Sequence, residues 1–389
     1  MGENISDSSQ LLKRAIRYLD GKRYAKALDY CSRAIRKYPS KEAYMTLGCI
    51  YIATDRDAEA MSALDSAIYK HSYLNKHSSG AYTEAICNLG MLHYYKEEDS
   101  NAISIYKEGL TEKPTWDLVW NYANARLRQC MSGKFDDLKT CWQLYESRFR
   151  CPQAVKLGAT PNWTGGVKVD SITVLAEQGV GDAIMFARYL PEVAKWCDRL
   201  VVECEDSLNC IFSGYETRNY IGYSTTHAIP MCSLGNLVND IPDGEWLGGW
   251  TGGSGRIVGI WQSLQKHNNA AYRNCTATGL IKAGVNCTLG PDCFDTRLEH
   301  LPSATWEETV SSLKTVDMVV CIDTAIAHLC GAMGVPCLVL MPLKNSDWRW
   351  GDSSCGESNR WYSSVRVIRN PGNWDAVYDR VGEIIAGSK

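Results

Sequence analysis

Small and large apolar residues recur over residues 1–150 at the spacing of paired helices. Tyr44, Leu47, Gly48, Tyr51, Ala60, Leu64 and Ala67 mark one pair. Leu89, Gly90, Ala102, Tyr106, Gly109 and Pro114 repeat the offsets, and Ala27, Cys31, Ala34 and Pro39 repeat part of them. The small residues let two antiparallel helices approach, and the large ones fill the groove between neighbouring pairs. Three helix–turn–helix copies are predicted, starting near residues 8, 41 and 83, with extra linker around Asn75 to Tyr82. A degenerate pair, Trp116 to Cys130 and Phe135 to Phe149 after Gly133, closes the array and covers its last apolar face.

The rhythm then changes. Residues 151–168 form a linker rich in Pro, Gly and Thr, ending at Asn162-Trp163-Thr164-Gly165-Gly166. Beyond it, short apolar runs alternate with helical stretches. Strands are predicted at Ser171–Ala176, Arg199–Glu203, Arg256–Trp261, within Ala283–Leu289, and at Met318–Ile322, Pro336–Met341 and Val365–Ile368. Helices are predicted at Ala183–Trp196, Thr276–Ala283, Trp306–Leu313, Ala325–Met333 and Trp374–Ile385. Such alternation implies parallel sheets covered by helices on both faces. The expected domains are a repeat domain at 1–150, a first α/β lobe at 169–250 and a second at 256–389. Gly248–Gly255 is the expected hinge between the lobes. The fold class is therefore an α-solenoid followed by a pair of Rossmann-like α/β lobes.

Two strand-to-helix turns carry the chemistry. One is Glu177-Gln178-Gly179-Val180-Gly181-Asp182; the other is Asp323-Thr324-Ala325-Ile326-Ala327-His328. A helix start offers unpaired N–H groups and a partial positive charge, which suits a phosphate. Gly179 and Gly181 let the backbone approach a ligand. Thr324 can offer its hydroxyl and N–H, and His328 lies one turn further on the same face. Asp323 reads as a cap or an orienting group, because a bare carboxylate repels phosphate. Asp182 and Glu177 are the carboxylates of the first turn, and Asp182 can cap the helix that follows it. The loop from Gln262 to Arg273 brings the cations Lys266, His267 and Arg273, which a solvated basic loop would also explain. Gly290-Pro291-Asp292 follows the next strand. Asp347-Trp348-Arg349-Trp350 and Trp361-Tyr362 place aromatic faces in loops, for stacking or for packing. Asp55-Arg56-Asp57 resembles a metal-binding D-x-D but falls at a turn inside a repeat.

Composition narrows the function classes. With 389 residues, 45% hydrophobic and 22% charged, the chain has the composition of an ordinary globular protein, and its net charge of −3 gives no ground for non-specific nucleic-acid binding. The 17 cysteines show no C-x-x-C pair and no zinc spacing, and they sit mostly in apolar runs, as small hydrophobes in a reducing compartment do. The polar start Met1-Gly2-Glu3-Asn4 has no secretory pattern, and no apolar stretch is long enough to span a bilayer.

The repeat units resemble the tetratricopeptide repeat of about 34 residues. The whole chain resembles bacterial and phage proteins that join such repeats to a glycosyltransferase of the GT-B fold. These are related to the lipopolysaccharide heptosyltransferases and, more distantly, to the protein O-GlcNAc transferases. The matching segments, in order, are Leu144-Tyr145-Glu146-Ser147-Arg148, Trp163-Thr164-Gly165, Glu177 to Asp182 with Arg188-Tyr189, Val258-Gly259-Ile260-Trp261, Asp323 to Leu329, and Asp347 to Trp350 with Arg360-Trp361-Tyr362.

The resemblance implies transfer of a hexosyl, pentosyl or heptosyl group from a nucleotide-sugar to an acceptor hydroxyl, without a metal or other cofactor. Asp182 would be catalytic as the general base, with Glu177 the competing carboxylate, and Arg273, or after it Lys266 or His267, would stabilise the charge that develops on the leaving group. Gly179, Gly181, Trp261, Lys266, His267, Asp323, Thr324 and His328 would hold the donor. The partners implied are that donor and an acceptor that is a protein, a glycan or a modified nucleic-acid base; a homo-oligomer is compatible with the sequence. The location implied is the cytoplasm, or the host cytoplasm for a phage protein. Two rival readings stand beside this one: a repeat-containing scaffold that has lost catalysis, and a phage transferase acting on DNA bases.

Overall fold

The computed structural model describes residues 2–74, 80–150, 160–219, 225–238, 240–263 and 270–388, the side chains of 2, 3, 70–74, 270 and 271 excepted. The described chain packs as two compact units, Met1–Arg126 and Leu127–Lys389.

The first unit holds helical hairpins. Helices α1 (Gly2–Asp20) and α2 (Tyr24–Lys37), α3 (Lys41–Ile52) and α4 (Asp57–Leu74), and α5 (Gly80–Tyr95) and α6 (Asp99–Glu112) pair in sequence. Each pair turns through one left-handed residue, Lys22, Asp55 or Glu97, with φ of 55°, 55° and 59°. Asp55-Arg56-Asp57 is therefore a turn, and Arg56 bonds Glu59 at 2.8 Å and lies over the Tyr51 ring. The repeating glycine has a steric cause. A Cβ on Gly90 would stand 2.3 Å from the Tyr106 ring, and one on Gly48 would stand 2.6 Å from Leu64. The buried faces assemble around Leu64, Ile86 and Tyr106.

The second unit begins with the end of α7 (Trp116–Met131) and α8 (Leu138–Tyr145), capped by Asp137. Residues 127–150, which the sequence groups with the repeats, pack within this unit. Trp142 explains why: its ring meets Phe186 at 5.5 Å, Trp348 at 5.9 Å and Trp361 at 6.4 Å. Polar contacts add to it, with Lys134 on Asp352 at 2.7 Å and Arg360 on the Cys130 carbonyl at 2.9 Å.

Strands β1 (Val169–Leu175), β2 (Cys197–Glu203), β3 (Glu216–Arg218) and β4 (His227–Pro230) form a parallel sheet in the order 3-2-1-4. Helices α9 (Val180–Phe186) and α10 (Leu190–Ala194) separate β1 from β2. The single helix predicted at Ala183–Trp196 is thus divided, with Pro191 at the start of α10 where a missing N–H costs nothing.

Strands β5 (Ile257–Ile260), β6 (Cys287–Thr288), β7 (Glu299–His300), β8 (Met318–Ile322), β9 (Cys337–Met341) and β10 (Val365–Arg369) form the second parallel sheet, in the order 10-9-8-5-6-7. Its helices are α11 (Ala270–Arg273), α12 (Ala277–Ala283), α13 (Trp306–Leu313), α14 (Ala325–Met333) and α15 (Trp374–Gly387). Counted from β5, this is the 3-2-1-4-5-6 order of a Rossmann sheet. In each sheet the connections reverse direction beside the first strand, and the crevice opened there lies at the carboxyl ends of the strands.

The Gly248–Gly255 segment is anchored along the second lobe. Gly253, Ser254 and Gly255 donate three successive N–H groups to the Asp317 carboxylate at 2.6–3.0 Å, and Trp250 Nε1 donates to the Val316 carbonyl at 2.8 Å.

Arg148 fastens the first sheet to α8. Its guanidinium donates to both oxygens of Glu177, at 2.7 and 3.3 Å, and to Ser233 Oγ at 2.6 Å, with both charged side chains buried. Removing one member of such a pair leaves an uncompensated buried charge. Arg148→Met is expected to cost about 3–5 kcal/mol, read as a lower midpoint of thermal or urea unfolding. An unchanged midpoint would show that Glu177 does not depend on this cation.

Candidate functional site

A cleft of ≈ 780 Å³ opens between the two sheets of the second unit. The starts of three helices border it: α9 through Gly179 to Asp182, α13 through Thr305 and Trp306, and α14 through Thr324 to Ile326. The ends of β5 and β8 supply Ile260, Gln262, Ser263 and Asp323, so the cleft lies at the reversal point of the second sheet.

The starts of α9 and α14 nearly touch. A Cβ on Gly181 would stand 3.0 Å from His328 Cδ2 and 3.4 Å from the Ala325 Cα. Gly181 is thus required for the approach of the two lobes. Just before α9, Gln178 is held at φ 64°, a left-handed conformation unusual for a side-chain-bearing residue.

Asp182 lines the cleft with both oxygens engaged. Oδ2 accepts from the Gly179 N–H at 3.2 Å: the helix starts earlier than expected, with Gly179 at the cap position, and Asp182 stands at its third residue and bonds back to that cap. Oδ1 accepts from Arg349. Arg349 also grips both oxygens of Asp347, at 2.9 and 3.0 Å, and its guanidinium lies 4.5 Å from the Trp348 ring. Burial opposes its charge, but Asp182 and Asp347 outweigh that and hold the guanidinium firmly protonated. Burial likewise opposes the charge on Asp347, and Arg349 prevails, keeping that carboxyl below the usual range.

Thr324 is the first residue before α14, and its hydroxyl makes no capping bond. Its Oγ1 is buried without a hydrogen-bond partner, and so is Arg273 Nε. Arg273 is held by the Asp323 carbonyl at 2.8 Å and by Ser263 Oγ at 3.2 Å, leaving Nε for another acceptor. The contrast with α13 is instructive: Thr305 Oγ1 accepts from the Glu308 N–H at 3.1 Å, and that helix start is already capped. The start of α14 therefore offers unused donors, and a group of that kind buried without a partner is an invitation to an anionic ligand.

Asp323 accepts from Trp350 Nε1 at 2.9 Å, and burial and then the Asp347 charge raise its pKa to about 6. His328 is buried, stacked on Trp350 at 5.2 Å, with Nδ1 3.1 Å from the Tyr362 hydroxyl. Burial, and then the charge of Arg349, push its pKa down to about 3. His328 lines the cleft as a neutral ring, not as a cation for a phosphate.

The structure brings Gly179, Gly181, Asp182, Arg273, Asp323, Thr324 and His328 to one cleft, together with Gly290-Pro291-Asp292. Trp261 does not join them. Ile260 and Gln262 line the cleft, and extended chain alternates its side chains, so Trp261 between them turns inward and is buried. Lys266 and His267 lie outside the described residues. Glu177 is engaged by Arg148 away from the cleft lining. Sequence reasoning missed Arg349 and Asp347 as cleft residues, although their motif was visible. Its tryptophans are packing groups, as Trp348 and Trp350 are buried. It also missed the α13 start, whose Thr305-Trp306-Glu307-Glu308 pattern is a capping box. Among the described residues no cluster of three or more His, Cys, Asp or Glu side chains could hold a metal ion, and no helix is long and apolar enough to cross a membrane.

The chain is a helical-hairpin array followed by two Rossmann-like parallel sheets that share a cleft. No protein-family model and no curated protein matches it. The solved structures similar to it include tetratricopeptide-repeat proteins and glycosyltransferases. The O-GlcNAc transferase of Thermobaculum terrenum, as its K341M mutant, is 11% identical over 99% of this chain and 91% of its own, with a TM-score of 0.38. The family 9 glycosyl transferase of Veillonella parvula is 10% identical over 58% of this chain and 98% of its own, with a TM-score of 0.40. The Sgt2 tetratricopeptide domain of Aspergillus fumigatus is 16% identical over 39% of this chain and 89% of its own, with a TM-score of 0.27. At these identities and scores the likeness fixes neither activity nor substrate, which must be argued from the cleft.

The buried histidine sets a pH test. His328 has a pKa of about 3 in the folded chain against an ordinary 6.5, so the unfolded chain binds more protons between those values. The stability this gives is complete above pH 6.5 and is lost as pH falls, by up to about 1.4 kcal/mol per unit. Asp323, with its raised pKa, acts in the opposite direction below pH 6, but it is common to both proteins compared. Between pH 7 and 4.5 the thermal midpoint of the wild type should fall faster than that of His328→Gln. Parallel curves would mean that the ring is charged or accessible in the folded chain.

Proposed function

We propose that the chain is a glycosyltransferase that moves a sugar from a nucleoside diphosphate donor to an acceptor hydroxyl. The observation that carries this reading is the start of α14. It presents Thr324 Oγ1 and Arg273 Nε, both buried and unpartnered, inside a cleft of ≈ 780 Å³ between two Rossmann-like lobes. A volume of that order suits a ligand the size of a nucleotide-sugar. The diphosphate would accept from the Thr324 hydroxyl, the free N–H groups of α14 and Arg273. The same donors would stabilise the charge that grows on the leaving oxygen as its bond to the anomeric carbon breaks.

The acceptor hydroxyl would attack that carbon and lose its proton to Asp182, which belongs to the opposite lobe. Each Asp182 oxygen keeps a further lone pair beside its present hydrogen bond. Arg349 fixes the direction of the carboxylate. Helix starts and arginines carry the charge that a divalent cation would otherwise neutralise, so the reaction as proposed is independent of added metal. The repeats would hold the acceptor or a partner. A cytoplasmic setting fits a donor of this kind.

Thr324→Ala and Arg273→Gln should each weaken nucleotide-sugar binding by about 1–3 kcal/mol, because each removes a charge-assisted hydrogen bond. Calorimetric titration with UDP-, GDP- and ADP-sugars tests this. Equal affinity in both folded variants would remove the donor site from α14, and no binding of any nucleotide would favour a scaffold without catalysis.

Asp182→Asn should slow single-turnover transfer by about 10²–10⁴-fold with donor saturating, the usual range for general-base assistance. Donor affinity should change little. A near-normal rate would leave Asp182 as the residue that bonds back to the cap of α9 and as the partner of Arg349. Transfer abolished by a chelator and restored by magnesium or manganese would overturn the metal-independent reading.

A further inference from the structure

The cleft has an electrostatic difficulty for a diphosphate. Its described charged side chains are four carboxylates, Asp182, Asp292, Asp323 and Asp347, against two arginines, Arg273 and Arg349. Arg349 is already shared between Asp182 and Asp347. Arg273 makes its close bond to the Asp323 carbonyl and stands 3.9 Å from that residue's Oδ2. The carboxyl of Asp323 lies one residue before the open start of α14, beside the unpartnered Thr324 hydroxyl, and only 14% of its side chain is exposed. An anion bound there would confront a carboxylate that has little water to screen it.

Among the described residues, the charged or titratable groups that act on Asp323 come from several elements. Arg273 faces it from α11, and Cys321 lies just before it on β8. Asp347, Arg349 and Trp350 come from the turn after β9. His328, on α14, stays uncharged above pH 3 or so. None of these described groups removes the repulsion, but a proton on Oδ2 would. It converts an acceptor-only group into a donor aimed at a phosphate oxygen.

Resting on the donor-site reading above, we infer that Asp323 enters the donor complex as the neutral acid. It takes one proton from solvent as the diphosphate binds, and donates that O–H to a phosphate oxygen. The carboxylate plus one proton gives the acid, and release of the spent nucleotide returns the proton. Supply of the proton is easy near neutrality, because burial and the Asp347 charge already hold the carboxyl near a pKa of about 6, and an incoming anion raises it further. Asp323 would therefore touch the ligand directly. The Trp350 bond to Oδ1 leaves Oδ2 to carry the proton.

The consequence is a defined pH dependence. In a nucleoside diphosphate sugar both phosphates are esterified, so the ligand does not titrate between pH 5 and 8. Below pH 6 Asp323 already holds its proton, and affinity should be nearly constant. Above pH 6 the proton must be drawn from solvent, and affinity should fall toward tenfold per unit, or roughly 50-fold from pH 6 to 8.

The test is calorimetric titration of the full chain with UDP-glucose, GDP-mannose and ADP-heptose at pH 5.5 to 8.5, in two buffers of different ionisation enthalpy. Uptake of about one proton per donor at pH 8 is expected. Asp323→Asn should bind with a flat pH profile, because its amide donates without taking up a proton. Binding of a donor without proton uptake, or a wild-type slope in Asp323→Asn, would overturn the inference while leaving the donor site intact. No binding of any donor at any pH would remove the donor site and this inference together. The proton count in the wild type stands even if the Asn variant fails to fold.

Discussion

Two helix starts cannot come together unless something small lies between them, and in this chain that residue is Gly181. With only a hydrogen where a Cβ would sit 3.0 Å from His328, α9 of the first lobe rests against the first turn of α14 in the second. The contact determines the rest of the site. It brings the starts of α9 and α14 to one cleft and sets Gly181 against the buried His328 ring. It also sets Asp182 within reach of Arg349, a residue 167 positions away in sequence.

Around that contact the charges are arranged in pairs with very different environments. Arg349 stands between Asp182 and Asp347, and it holds the Asp347 carboxyl below the usual range. Asp323, a short distance away, has only a neutral indole N–H on one oxygen and a distant guanidinium on the other, and its pKa moves up instead. Two carboxyls of one cleft are thus shifted in opposite directions: Asp347 below the usual range by Arg349, and Asp323 above it, chiefly by burial and then by the Asp347 charge.

The parts of this arrangement that were legible in the sequence are those with a local cause. The strand–turn–helix patterns at Glu177–Asp182 and Asp323–His328 were readable because a buried strand, a polar turn and a helical face each leave their own periodicity. The repeats were readable for the same reason, with Gly48 and Gly90 recurring where a large neighbour on the next helix needs the room. Trp261 was assigned to the donor by the family resemblance, which does not say which face of the chain its ring takes, and the ring is buried. Lys266 and His267 lie outside the described residues. Arg349 was seen as part of an aromatic motif, yet its role depends on a carboxylate from another lobe, and nothing in its own neighbourhood announces that. Arg148 and Glu177 illustrate the same limit: each lies in a visible motif, but their pairing exists only once α8 has packed against the first sheet.

The motif at Asp347-Trp348-Arg349-Trp350 shows how closely packing and chemistry are joined here. Trp348 packs against Trp142 and Trp361, anchoring the turn to α8 and to the second lobe. That anchorage fixes the backbone between the tryptophans, so the side chain of Arg349 has one direction available. Trp350, buried on the other side, stacks on His328 and donates its ring N–H to Asp323. The residues of this one short turn therefore act on both sides of the cleft: Arg349 ties Asp182 to Asp347, the Asp347 charge raises the Asp323 pKa, and Trp350 bonds the Asp323 carboxyl. The aromatic block is accordingly part of the site's electrostatics, although its rings meet one another more than they meet the cleft.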